Sequence, residues 1–183
     1  MQLAAHEKLS ASVHSALAGR VLHVGCGNSK LDSWFDNYEE VRLDISDDHD
    51  PDIVASMVDM GDIGTYDAIS CNHSLEHLHP SDVDRALREF VRVLKPGGIA
   101  FVYVPDLEGV LPNDDIMYMS AAGPITGHDM YYGYAPYVST NEHMAHKSGF
   151  TKERLLKVME KVGFRKVITD RIFYMQIVGV GVK

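Results

Sequence analysis

The chain has 183 residues, 45% hydrophobic and 23% charged, with a formal net charge of −9. That length supports one domain with a substantial core and not comfortably two. The composition is that of a globular protein, and the acidic balance argues against a general nucleic-acid binder, which carries basic groups to offset phosphates.

Residues 3–18 place Leu9, Val13, Ala16 and Leu17 on one helical face, with Gly19 just past the end, so a helix is expected there. Val21-Leu22-His23-Val24 reads as a short buried strand that runs into Gly25-Cys26-Gly27-Asn28-Ser29. Gly25 and Gly27 lack a Cβ, so the backbone can turn sharply and a ligand can approach it closely. Residues 30–37 fit a short helix or a loop, with Trp34 and Phe35 covering the core. A second strand over 41–45 ends in Asp44-Ile45. An acid about 20 residues after a glycine turn is what a nucleotide-binding α/β fold presents to ribose hydroxyls. Asp47 to Asp52 is a polar turn, 52–57 a short third strand, and Val58-Asp59-Met60 follows.

Tyr66 to Asn72 is the fourth strand, leading into His73-Ser74-Leu75-Glu76-His77-Leu78. Ser81 to Lys95 is a helix: Ser81 and Asp84 have capping-box spacing, and Val83, Leu87, Phe90 and Leu94 form an apolar stripe. Pro96-Gly97-Gly98 stops it. Residues 99–104 form a fifth strand, apolar on both faces, ended by Pro105 and Asp106. Residues 107–150 show little periodicity and much Gly, Pro, Met, Tyr and His. An insertion of that length predicts a lid or substrate segment, the plainer alternative being a loop that covers one end of the sheet. Thr151 caps a last helix with Leu155, Val158, Met159 and Val162 inward and Gly163 past its end. Residues 165–170 and 173–182 are two closing strands, antiparallel because the link between them is short.

Strands alternating with helices imply an α/β, doubly wound sheet with helices on both faces. Ligands in such sheets bind outside the carboxyl ends of the strands, where Gly25, Asp44, Asp59, Asn72 and Pro105 are all expected. Cys26 and Cys71 have no metal-ligand spacing and read as small buried apolar residues in a reducing compartment. No apolar run reaches the roughly 20 residues that span a bilayer, and no signal-peptide pattern is present, so a cytoplasmic protein is expected.

Val-Leu-His-Val-Gly-Cys-Gly, then Asp44, Asp59, Tyr-Asp-Ala-Ile-Ser with Ser-Leu-Glu-His-Leu, and Arg92-Val93-Leu94-Lys95-Pro96-Gly97-Gly98 together resemble the Rossmann-like, class I S-adenosylmethionine-dependent methyltransferases. The resemblance covers roughly residues 20–105, and the chain is similar to small stand-alone bacterial members. It implies a mostly parallel seven-stranded sheet with an antiparallel C-terminal strand, in a single domain with a lid or substrate insertion at 107–150. It also implies S-adenosylmethionine as cofactor and S-adenosylhomocysteine as product. Gly25, Cys26 and Gly27 would border the methionine part. Asp44, with Ile45 beside it, would bind the ribose hydroxyls. Asp59 and Met60 would border the adenine, and Asn72 and His73 would lie beside the sulfonium. The bland readings are that Asp44 and Asp59 end strands or cap turns and that Asn72 is a turn residue. The family often has an acid where His23 stands and a glycine where Ser29 stands. The first change removes a group that helps to hold the cofactor's ammonium, and the second narrows the turn's freedom.

An acceptor hydroxyl or amine needs a base, and histidine has a suitable pKa. Candidates are His73, His77, His128, His143 and His146. We assign the catalytic role to His73 and His128, and read His77 as a structural cap. No metal site is expected, since these histidines have no recognised ligand spacing. The expected partner is a small-molecule or glycan acceptor, with no nucleic acid and no membrane. One alternative is a non-catalytic binding protein on the same fold. Another, a nicotinamide-dependent oxidoreductase, is disfavoured because Lys30 breaks the GxGxxG pattern.

Overall fold

The computed structural model describes residues 19–173 and 175–183; the helix expected over 3–18 lies outside the described residues. The strands in chain order are β1 (Gly19–Val24), β2 (Tyr38–Asp44), β3 (Ile53–Val54), β4 (Tyr66–Asn72), β5 (Leu94–Pro105), β6 (Ile116–Ser120), β7 (Gly123–Thr126), β8 (Arg165–Ile172) and β9 (Gln176–Val182). The helices are α1 (Pro80–Val93), α2 (Gly127–Tyr132), α3 (Ala135–Val138) and α4 (Lys152–Val162). Seven strands form one sheet in the order β3-β2-β1-β4-β5-β9-β8, and β6 and β7 form a separate hairpin. Strands β1 to β5 pair in parallel, whereas β9 runs antiparallel to both β5 and β8. The strand order reverses at β1, which lies between β2 and β4. That switch point is where a sheet of this kind opens a crevice at its carboxyl edge.

Side chains alternate between the two faces with the period of a strand. Leu22, Val24, Ile69, Cys71, Ala100, Val102 and Val104 belong to one buried cluster, which α1 and α4 cover with Val83, Leu87, Phe90, Leu155 and Met159. Each of these large side chains, once fully buried, contributes about 1.5–3 kcal/mol. Val21, Ala68, Ile99, Phe101 and Tyr103 belong to the cluster on the other face. Among the described residues, that face is covered by a 3-10 turn, Ser33–Phe35, with Phe35 edge-on to Phe101 at 5.4 Å. Gly179 lets α4 sit close to the sheet, since a Cβ there would lie 2.7 Å from Met159 Sδ and 2.8 Å from Leu155 Cδ2.

Several boundaries move for physical reasons. The α1 helix begins with Pro80 and is capped by His79 without a side-chain bond. Ser81 is therefore already inside the first turn, and the Ser81–Asp84 capping box does not form. The helix ends at Val93 because Leu94 already pairs with Tyr66; the Lys95–Gly98 turn is then absorbed as an irregularity between β4 and β5. The third strand shrinks to Ile53–Val54. Thr151 accepts from Arg154 N at 3.2 Å, and Gly163 ends α4 in the left-handed region, as expected. Residues 107–150 are more regular than their composition suggests. They hold the β6–β7 hairpin, α2 and α3 around a small core of Val110, Ile125 and Met130. No helix among the described residues is long and apolar enough to cross a membrane.

Candidate active site

The turn after β1 is locked to the end of β2. Gly25 and Gly27 have φ of +64° and +43°, a region that disfavours side chains with a Cβ. Gly25 N donates to the Leu43 carbonyl at 2.8 Å, and the Arg42 guanidinium donates to the Gly27 carbonyl. Gly27 N and Ser46 N donate to the two oxygens of Asp44, at 2.8 and 3.1 Å. A carboxylate offers about four acceptor positions, so Asp44 keeps capacity for further donors. Ile45 beside it is 62% exposed, an apolar shelf next to a half-buried acid. Cys26 is buried, and burial raises its thiol pKa, so it is a packing residue and not a nucleophile. Asp59 lies past β3 in a turn closed by its own N–H on the Ser56 carbonyl. Its side chain is exposed, while Met60 is buried.

His23 points into the sheet, 1% exposed, with Nδ1 2.7 Å from Glu40 Oε1. An acid on β2 therefore reaches across to the position where the sequence resemblance leads one to expect an acid on β1. Ser29 N closes the turn on the Cys26 carbonyl at 2.8 Å.

The end of β4 meets this turn. Ser74 Oγ lies within hydrogen-bonding reach of the carbonyls of Gly25, at 3.2 Å, and Asn72, at 3.1 Å. Asn72 Oδ1 is buried with no hydrogen-bond partner in the protein. His73 has φ +49°, uncommon for a bulky residue, and is held there by its N–H on the Tyr103 carbonyl at 3.0 Å.

From His73 the chain enters a 3-10 turn, Leu75–His77, that buries Glu76 completely. His73 Nδ1 sits 3.1 Å from Glu76 Oε1. The second oxygen, Oε2, is buried without a partner. Burial opposes ionisation of Glu76, but the His73 bond and the nearby His77 and His146 more than offset it, holding the carboxyl below its usual range. Burial also opposes the His73 imidazolium, and the bond and charge of Glu76, with a bond to Gln176, raise it above its ordinary value. His146 is lowered, chiefly by burial. Lys147 N and Ser148 N donate to the Glu76 carbonyl at 2.8 and 3.0 Å, and Ser148 Oγ donates to the Leu78 carbonyl at 2.7 Å. These bonds fasten residues 146–148 against the turn and bring His146 beside His77, with ring centroids 5.2 Å apart.

A cavity of about 520 Å³ opens here, between the carboxyl edge of the sheet and residues 118–146. His73, Pro105 and Gln176 line it from the sheet; Tyr118, Ile125 and Tyr134 line it from the insertion. The structure therefore brings Gly25, Gly27, Asp44, Ile45 and Asn72 to one edge, with His73 between them and the cavity. It does not bring His128, which is exposed, tilted against the Tyr132 ring with centroids 4.6 Å apart, and absent from the cavity wall. His143 is also exposed and outside the wall. Three residues of the site went unassigned in the sequence. Ser74 and Glu76 stood inside Ser-Leu-Glu-His-Leu, and Arg42 stood two residues before Asp44.

The sequence model of a family described as "Methyltransferase domain" matches residues 1–169. No curated protein matches. Solved structures are similar in fold. A S-adenosylmethionine-dependent methyltransferase from Mesorhizobium loti has a TM-score of 0.64 at 14% identity, over 97% of this chain and 96% of that one. Burkholderia thailandensis 1,6-didemethyltoxoflavin-N1-methyltransferase, solved with 1,6-didemethyltoxoflavin and S-adenosylhomocysteine, has a TM-score of 0.60 at 15% identity, over 98% and 78%. A candidate O-methyltransferase from Nostoc punctiforme has a TM-score of 0.64 at 14% identity; it covers all of this chain, which spans only 57% of its length.

Proposed function

The chain belongs to the methyltransferase-domain family, and from that premise we propose that it methylates a small-molecule or glycan acceptor held in the cavity beneath the β6–β7 hairpin. It is an enzyme of the class I fold with S-adenosylmethionine as cofactor. The single observation that carries the acceptor reading is His73, which ends the glycine-turn edge on one side and lines the 520 Å³ cavity on the other. A cavity of that size suits a drug-sized ligand.

The residues present fit the cofactor. Asn72 Oδ1 is an orphaned buried acceptor at the edge, Asp44 has acceptor capacity left, and Ile45 offers an exposed apolar surface. In this reading the backbone of Gly25, Cys26 and Gly27 borders the methionine part, Asp44 takes the ribose hydroxyls, the exposed Ile45 flanks the adenosine, and Asp59 accepts from the adenine amine; Met60, whose side chain is buried in the core, only supports that turn. The cofactor supplies an activated methyl group on a sulfonium. The chain's own work is to align the acceptor and exclude water. Residues 107–150 form the wall that does so. Glu76 holds His73 by Nδ1, and His73 stands where an acceptor proton is received, in the manner of a carboxylate-oriented imidazole. The buried free thiols of Cys26 and Cys71 fit the reducing cytoplasm.

The test is methyl transfer from labelled S-adenosylmethionine to a panel of hydroxyl, amine and carboxylate acceptors that includes monosaccharides and nucleosides. Transfer to one class identifies the acceptor. Transfer only to protein or nucleic-acid acceptors would overturn the small-molecule reading.

A further inference from the structure

Glu76, His77 and His146 each offer one ligand atom, and these atoms lie within 4.8 Å of one another. We propose that these three residues bind a divalent transition-metal ion, of the Zn²⁺ type, at the wall of the acceptor cavity.

The hydrogen bonds prepare each ligand. His77 Nδ1 lies 3.2 Å from the Ala145 carbonyl and His146 Nδ1 lies 3.0 Å from the Met130 carbonyl. A carbonyl can only accept, so the neutral rings carry their protons on Nδ1 and leave a lone pair on Nε2. Metal-binding histidines are oriented in this way, by a second hydrogen bond to a carbonyl or carboxylate. Glu76 divides its oxygens in the same sense: Oε1 faces His73, and Oε2 is buried with no partner. A buried carboxylate oxygen left unpaired is costly, and a cation removes that cost. Ligand atoms around a tetrahedral Zn²⁺ at ~2.0–2.1 Å stand about 3.3 Å apart, within the reach of small torsional changes from the present spacing.

Two imidazoles and one carboxylate make the donor set of catalytic zinc sites, which keep a coordination position open. All three residues line the cavity, so the open position faces the acceptor. Its use there rests on the methyl-transfer reading; the binding of the ion does not. An acceptor hydroxyl taken at that position would ionise more readily. The O–H bond breaks, the electron pair stays on oxygen, and the proton passes to His73, which lines the same cavity.

The test titrates Zn²⁺ into the chelator-treated full chain by calorimetry, beside His146→Ala, Glu76→Gln and the exposed control His79→Ala. We expect one ion per wild-type chain, an affinity weakened at least tenfold in His146→Ala and Glu76→Gln, and no change in His79→Ala. Absence of binding, or binding equal in wild type and His146→Ala, overturns the proposal. Because Glu76 is buried and its variant can fail to fold, a Co²⁺ titration of the wild type gives a second reading. A visible ligand-field band of a low-coordinate nitrogen and oxygen site supports the proposal, and the spectrum of aqueous Co²⁺ overturns it. S-adenosylhomocysteine binding measured on the same samples separates failure of the metal site from failure of the methyltransferase reading.

Discussion

Ser74 Oγ lies 3.2 Å from the Gly25 carbonyl and so joins the turn after β1 to the turn after β4. The contact leaves no room for a side chain at position 25. A Cβ there would lie 2.2 Å from Ser74 Oγ and 2.6 Å from Ser74 Cβ, on a backbone with φ +64°. Gly25→Ala is expected to cost about 1–3 kcal/mol in stability and to abolish S-adenosylhomocysteine binding, read by thermal melting and calorimetry. Wild-type affinity in this variant would show that the turn is not part of the cradle.

His73 and His128 separate by position. His73 lines the cavity and is bonded to Glu76, whereas His128 is exposed on α2. With an acceptor in hand, His73→Ala should lower kcat by about 10²–10⁴-fold, the usual worth of a positioned proton acceptor. His128→Ala should leave kcat within about threefold. Equal effects in the two variants would remove His73 from its assigned place.

Asp67 anchors the start of β4. Its carboxylate accepts from Lys95 Nζ at 2.8 and 2.9 Å and from Arg20 N at 2.9 Å. The Lys95 bond first, then the Arg20 N–H, hold its pKa below the ordinary carboxylate value. A depressed pKa contributes stability above the unfolded-state value and loses it as pH falls through the folded-state value. Asp67→Asn should therefore be less stable than wild type at neutral pH by about 1 kcal/mol, kept small because the half-exposed Lys95 is screened by solvent. The difference should shrink between about pH 5 and pH 2. Urea denaturation across that range checks it, and a gap that widens on acidification contradicts the assignment.

Thr126 and Asp129 cap the short helix α2 reciprocally. Thr126 Oγ1 accepts from Asp129 N at 3.1 Å, and Asp129 Oδ2 accepts from Thr126 N at 2.9 Å. Asp129 also accepts from Ala135 N at 3.1 Å, which fixes the start of α3. Thr126→Ala should cost about 1 kcal/mol and raise KM for the acceptor more than it lowers kcat, because it loosens the cavity wall and not His73. An unchanged KM would show that this wall does not touch the acceptor.

Much of the fold was legible because its signals are local. Tyr66 to Asn72 forms the expected strand residue for residue, and Thr151 and Gly163 bound α4 as their chemistry dictates. The misjudged boundaries are those where two local rules compete. Pro80 takes the first helical position that the Ser81 box needed, and Leu94 leaves the helix to pair with Tyr66. The hairpin β6–β7 was hidden because Ile116, Met117, Tyr118 and Met119 are all partly or fully exposed, so no alternation marks the strand. The cluster of Glu76, His77 and His146 could not be read from spacing. Backbone bonds from Lys147 and Ser148 to the Glu76 carbonyl, across about seventy residues, bring it together, and no periodicity reports such bonds.

The cradle formed by Gly25, Gly27, Asp44 and Asn72 is tested most directly by titrating S-adenosylhomocysteine into the purified full chain and into Asp44→Ala. One molecule should bind per wild-type chain. Asp44→Ala should weaken binding by about 1.5–3 kcal/mol, the worth of hydrogen bonds to a charged group. No binding to the wild type, or equal affinity in the two proteins, would contradict the assignment of this edge as the cofactor site.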